Sequence, residues 1–135
     1  MVKKLTIMVL MALLVTVGFV LPSARMVSAA PAAPTLVSPA NDATVTGTSV
    51  TFEWGSVVEA AKYRLLVSTS TNTLDTTKYK CNVDLVDEAT TTYVDPGYPA
   101  NGTKYYWWVW AYAADGSASA WTQVSALGRN FTSVA

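Results

Sequence analysis

Apolar and polar residues alternate with period two through most of this chain, and the alternation comes in short runs separated by turn residues. From Ser49 to Trp54, Val50, Phe52 and Trp54 point one way and Thr51 and Glu53 the other. From Ala61 to Ser68, Tyr63, Leu65 and Val67 share one face, with Lys62, Arg64 and Leu66 opposite. Strand side chains alternate between the faces of a sheet, so both runs predict half-buried strands. Leu36 and Val37, between Pro34 and Pro39, fit a short edge strand, where proline is tolerated. Thr44–Thr46, Lys78–Val86, Thr91–Val94 and Asn130–Ser133, the last with Phe131 inward, are further extended pieces. The register of Lys78–Val86 is ambiguous. A Thr/Ser/Asn-rich loop spans Ser68–Thr77, and a corner rich in proline and glycine spans Asp95–Gly102. Helical periodicity is absent here. Strands at roughly ten-residue spacing predict a single all-β sandwich of about seven antiparallel strands.

The stretch from Gly102 to Gly116, G-T-K-Y-Y-W-W-V-W-A-Y-A-A-D-G, departs from the pattern. Its composition is that of a strand. One face carries Tyr105, Trp107, Val109 and Ala111, tapering from large to small as an inward row would. The other carries Tyr106, Trp108, Trp110 and Tyr112, although the outer face of a half-buried strand is ordinarily polar. This aromatic outer row is the strongest functional signal in the chain.

The first residues obey different rules. Lys3 and Lys4 precede seventeen mostly apolar residues, Leu5–Leu21, then Pro22 and small residues with Val27 and Ala29 at the −3 and −1 positions of a cleavage site. That order describes a secretory signal peptide over residues 1–29. An uncleaved membrane anchor is the alternative, seventeen residues being at the low edge of a spanning helix. Residues 30–34 then read as a Pro/Ala linker and 35–135 as the folded domain. Removing 29 of 135 residues leaves 106, enough for one core. Lys3, Lys4 and Arg25 leave with the signal, so six basic residues remain against nine acidic ones, a net charge of −3. No basic run survives, which argues against nucleic acid or, after cleavage, a membrane surface as partner. The single cysteine, Cys81, cannot form an internal disulfide. It reads as a small, partly buried apolar residue, with intermolecular pairing as the alternative.

Several segments carry a family resemblance in order: P-T-L-V-S-P-A-N-D-A-T-V, V-T-F-E-W, A-K-Y-R-L-L-V-S-T-S, P-A-N-G-T-K-Y-Y-W-W-V-W-A, then Trp121 and F-T-S. Together they resemble a fibronectin type III domain, with its Ig-like fold, of the kind common in secreted and surface proteins of prokaryotes. The likeness covers Pro34 to Val134. It implies that Leu36, Trp54, Tyr63 and Val109 are core residues, and that Tyr105 is the corner tyrosine whose hydroxyl ties the preceding loop to backbone. It also implies a binding or spacer module, without identifying a ligand. The family usually has a basic or polar residue where this chain has Trp108 and Trp110.

Catalytic signatures are missing. The sequence has no histidine, which excludes Ser-His-Asp and Cys-His machinery and histidine metal sites. Asp84, Asp87 and Glu88 suggest calcium less well than a solvated turn, because calcium wants six or more converging oxygens. No cofactor, metal or enzymatic activity is expected. Two readings of the outer row remain. In one, Lys62 and Arg64 from the neighbouring strand lie over Trp108 and Trp110 as a ladder, each contact stabilising by about 0.5–1 kcal/mol. In the other, Tyr106, Trp108, Trp110 and Tyr112, with Lys62 and Arg64, form a platform for a polysaccharide or an extracellular protein. The expectation is a secreted or cell-surface, monomeric, non-catalytic binding module; a structural spacer with no ligand of its own is the alternative.

Overall fold

A computed structural model describes residues 29–85, 87, 90–120 and 128–135. The signal-like segment up to residue 28, Glu88 and Trp121 lie outside the described residues.

Eight strands occur among the described residues: β1 (Leu36–Ser38), β2 (Ala43–Thr46), β3 (Ser49–Trp54), β4 (Lys62–Ser68), β5 (Tyr79–Leu85), β6 (Thr92–Pro96), β7 (Lys104–Tyr112) and β8 (Arg129–Val134). They form a three-stranded sheet, β1-β3-β6, and a five-stranded sheet, β2-β8-β7-β4-β5. This is the expected β-sandwich, with one difference in the strand pairing. The expectation of purely antiparallel strands fails at β2, which pairs parallel to β8. The reason is connectivity: after β1 the chain crosses to the other sheet and runs alongside the last strand.

Alternation decides what lies between the sheets. Val50, Phe52 and Trp54 from β3 meet Tyr63, Leu65 and Val67 from β4 and Tyr105, Trp107, Val109 and Ala111 from β7 in one buried cluster. Aromatic edges dominate the contacts. Phe52 lies 5.2 Å from Trp107 and 5.8 Å from Phe131 between ring centroids, both edge-on. Tyr105 stacks on Phe131 at 5.4 Å. Such pairs each add about 0.5–1.5 kcal/mol beyond the area they bury. Across the sandwich Trp54 lies 5.8 Å from Tyr63. The Tyr63 hydroxyl accepts the Val57 N–H at 2.8 Å, fixing the loop between β3 and β4.

Cross-sheet latches hold both sides of the sandwich. On one side Arg129 Nη1 donates to the Val37 carbonyl at 2.8 Å, linking β8 to β1. On the other, Lys80 Nζ of β5 donates to the Pro96 carbonyl at 3.1 Å and sits 3.6 Å from Asp95 Oδ2 of β6. Tyr98, fully buried, donates its hydroxyl to the same carboxylate at 2.6 Å. The β5 register, ambiguous in the sequence, is resolved by a bulge: Val67 faces Cys81 while Ser68 faces Tyr79. Lys80 is the extra residue, and the bulge lets both Lys80 and Cys81 approach Asp95. Burial, then the nearby Asp95, pushes the Cys81 thiol up to about 11, so it stays protonated at neutral pH. Residues 30–34 have no secondary structure, yet Pro31 and Pro34 are buried against the domain.

Trp54→Ala would open a cavity at the centre of this packing. The expected cost is about 3–5 kcal/mol, read from the chemical denaturation midpoint. An unchanged midpoint would remove Trp54 from the core.

Candidate functional site

The outer face of the five-stranded sheet is built in rows by the strand register. Opposite one another across β5, β4 and β7 stand Asp84, Arg64 and Trp110, and in the next row Asn82, Leu66 and Trp108. Lys62 faces Tyr112, and Ser68 faces Tyr106. The division of β7 into an inward row and an aromatic outer row therefore holds. The outer row itself is not uniform, because its members meet different neighbours.

Trp108 is only 1% exposed, and Leu66 beside it is also buried. Gly128 covers the indole: a Cβ built on Gly128 would lie 2.5 Å from Trp108 Cε2 and 2.6 Å from Nε1. Trp108, a member of the platform reading, thus offers no open surface. A remote piece of backbone, not a ligand, occupies that face. Tyr106, 6.5 Å from Trp108 between centroids, Trp110 and Tyr112 remain half-buried.

Lys62 Nζ and Arg64 Cζ lie 5.1 and 5.7 Å from the centre of the Tyr112 ring, which the ladder reading does not include. The carboxylate of Asp84 draws them there. It accepts from Arg64 Nε and, at 3.1 Å, from Nη2, and it takes Lys62 Nζ at 3.3 Å. The Arg64 guanidinium, outweighing partial burial, holds the Asp84 carboxyl below its ordinary range, and Asp84 in turn raises Arg64. Asp84 is thus a partner for cations of its own chain.

Among the described residues, a cleft of about 240 Å³ opens on the β5 side of this face. Leu66, Trp110 and Tyr112 line it from the sheet, and Arg64, Asn82 and Tyr79 add polar atoms. Thr73 and Leu74, from the loop between β4 and β5, complete the lining. That loop is tied by successive side-chain bonds two residues apart. Ser68 Oγ accepts the Ser70 N–H at 3.0 Å, Ser70 Oγ that of Asn72 at 3.1 Å, and Asn72 Oδ1 that of Leu74 at 3.0 Å. The Tyr79 hydroxyl donates to the Thr73 carbonyl, fastening the loop to β5. Leu74 is left 85% exposed. The Ser/Thr/Asn content of this loop announced turns, but nothing in it announced that the loop would border the aromatic face. Tyr79 and Asn82 were hidden by the bulge.

Comparison with known proteins places the fold. No protein-family model matches the sequence, and no curated protein matches it. Solved structures do. The chain is similar to an Fn3-like protein from Clostridium thermocellum, at 24% identity and a TM-score of 0.51, over 77% of this chain and 92% of that one. It is also similar to part of a β-1,2-glucanase from Parabacteroides distasonis, at 20% identity and a TM-score of 0.52, over 78% of this chain and 13% of that one. A Streptomyces avermitilis α-L-rhamnosidase complexed with L-rhamnose gives 17% identity and a TM-score of 0.56, over 78% of this chain and 10% of that one. The fold is that of a fibronectin type III-like domain. In keeping with the resemblance, Leu36, Trp54, Tyr63 and Val109 all lie in the core. Tyr105 is buried too.

The contact at Gly128 generates a test. Gly128 and Gly102 have nearly the same backbone angle, φ +76° and +78°, but nothing stands within 4 Å of a Cβ at Gly102. Gly102→Ala should cost about 1–2 kcal/mol, the left-handed strain alone. Gly128→Ala should cost that plus about 1–3 kcal/mol for overpacking against Trp108. Equal denaturation midpoints for the two variants would show that Gly128 does not bear on the indole.

The ion pair generates another. Because the folded pKa of Asp84 lies below its unfolded value of about 3.9, the folded state binds fewer protons between the two values. Its stabilisation is full above the unfolded value and is lost as pH falls through the folded one. The pair is well exposed, so Asp84→Asn should cost under about 1 kcal/mol at pH 7. The difference from the parent should shrink between pH 7 and an acid pH below the folded value. Denaturation midpoints at the two pH values check this, and a difference that persists in acid would assign it to packing.

Proposed function

We propose that this chain is a secreted, non-catalytic binding module that takes one sugar unit of a polysaccharide in the cleft beside Trp110. The observation that carries this reading is the pairing, in a single cleft, of an indole with hydrogen-bonding side chains. A sugar ring has an apolar C–H face and a rim of hydroxyls. Trp110 offers a surface for the first, and Arg64, Asn82 and Tyr79 offer partners for the second. Pockets for drug-sized ligands run to about 300–1,000 Å³, so about 240 Å³ suits one ring of a longer chain. The loop bearing Thr73 and Leu74 is tied down before any ligand arrives, which lowers the ordering cost of binding.

The non-catalytic reading draws on the chemistry of the cleft. Glycoside cleavage ordinarily needs two carboxyl groups flanking the bond, and the described lining of this cleft has none. The likeness to small portions of a β-1,2-glucanase and an α-L-rhamnosidase supports a module that can accompany sugar-directed chemistry done elsewhere. Export is supported by the signal-like leader over residues 1–29. A spacer without a ligand is the reading that remains if the cleft binds nothing.

Trp110→Thr tests the proposal. Threonine keeps a strand-compatible side chain, and Trp110 lies outside the inter-sheet core, so the variant should lose less stability than Trp54→Ala. Retention in affinity electrophoresis through polysaccharide gels should fall tenfold or more, as loss of an aromatic anchor of about 2 kcal/mol implies. Trp108 is unsuitable for this test, since its removal would unpack the sheet. A parent protein that passes every polysaccharide unretarded would leave the spacer reading.

A further inference from the structure

Of the described side chains lining the cleft, Arg64 alone carries a formal charge. Asp84 takes its Nε and Nη2, two of the five N–H donors on a planar fork. The bond pins the guanidinium plane and leaves the edge with Nη1 directed away from Asp84. Lys62, on the same face two residues earlier in β4, shares both the carboxylate and the Tyr112 ring. Two cations thus share this one carboxylate. The neighbouring loop contributes Asp75, which is bonded to Thr77 within the loop, and Lys78, so their charges cancel. The net charge of −3 on the mature chain opposes a polyanion at long range, but at physiological salt such fields are screened beyond about 8 Å. At contact, the charge in the cleft governs.

We infer that the sugar unit taken by this cleft is a uronic acid, whose carboxylate pairs with the Nη1 edge of Arg64 while its ring lies against Trp110. This rests on the glycan-binding reading above and narrows it to one ligand class. A planar fork matches a planar carboxylate in a way that a point charge does not. Cation–π contact with Tyr112 and the Asp84 bond hold the fork in place beforehand, so little side-chain entropy remains to be lost on binding.

The test uses the mature chain in affinity electrophoresis through polygalacturonate and alginate, fully methyl-esterified polygalacturonate, dextran and dextran sulfate. Retention should appear on the two uronates and weaken with added salt. It should fall about tenfold or more on the methyl ester, which keeps the ring and loses the charge. Arg64→Gln should reproduce that loss on the uronates, and Arg64→Lys, which keeps the charge without the fork, should recover little of it. Circular dichroism of both variants checks that the exposed site tolerates the change. Equal retention on polygalacturonate and its ester, or on dextran alone, overturns the inference and leaves the glycan-binding reading standing. Dextran sulfate retained as strongly as the uronates, with no loss in Trp110→Thr, overturns it in favour of unspecific charge attraction. Uronate retention that survives Arg64→Gln overturns the role of Arg64. No retention on any of the five polymers overturns the inference and the reading beneath it together.

Discussion

A central strand cannot send neighbouring side chains to the same face. β7 lies between β8 and β4, and its consecutive aromatics Tyr105, Tyr106, Trp107 and Trp108 must therefore be shared between two environments. Tyr105 and Trp107 enter the space between the sheets, where Phe52, Tyr98 and Phe131 meet them edge-on or stacked. Tyr106 and Trp108 go outward, and the outer face has to find cover for bulky apolar rings. The backbone at Gly128 covers Trp108, and Leu66 flanks it from β4. Most other features of the face follow from how that demand is met.

Among the described residues, polar contacts link the two sheets at their sides. Burying a carboxylate is costly unless it is paired and hydrogen-bonded. Asp95, nearly buried, receives the Tyr98 hydroxyl and lies within reach of Lys80, whose ammonium also sits 4.7 Å from the centre of the Tyr98 ring. The β5 bulge makes this possible, because without an extra residue Lys80 would point to the opposite face from Cys81. The same insertion returns Tyr79 to the outer face, where it fastens the loop at the cleft. One irregularity in a ladder thereby serves both the core and the candidate site.

The cleft owes its character to how the nearby cations are held. Tyr112 and Asp84 together attract Lys62 and Arg64. The Trp110 indole contributes to the wall of a small cleft.

The two-sheet architecture, the inward set Val50, Phe52, Trp54, Tyr63, Leu65, Trp107, Val109 and Phe131, and the outward turn of Tyr106, Trp108, Trp110 and Tyr112 were all legible in the residue order. Period-two alternation is a local property, carried by each residue relative to its neighbours. What lies over a face is not local. Gly128 on Trp108, Asp84 drawing Arg64 to Tyr112, Tyr98 swinging into the core from a corner of prolines and glycines, and Leu74 at the border of the cleft all join residues distant in the chain. Nor does alternation survive a bulge, which is why the face of Lys80 and Tyr79 could not be read from composition. The chain by itself determined which side of its strands each ring takes; only the folded sheets decided which of those rings is buried, which is paired and which borders a cleft.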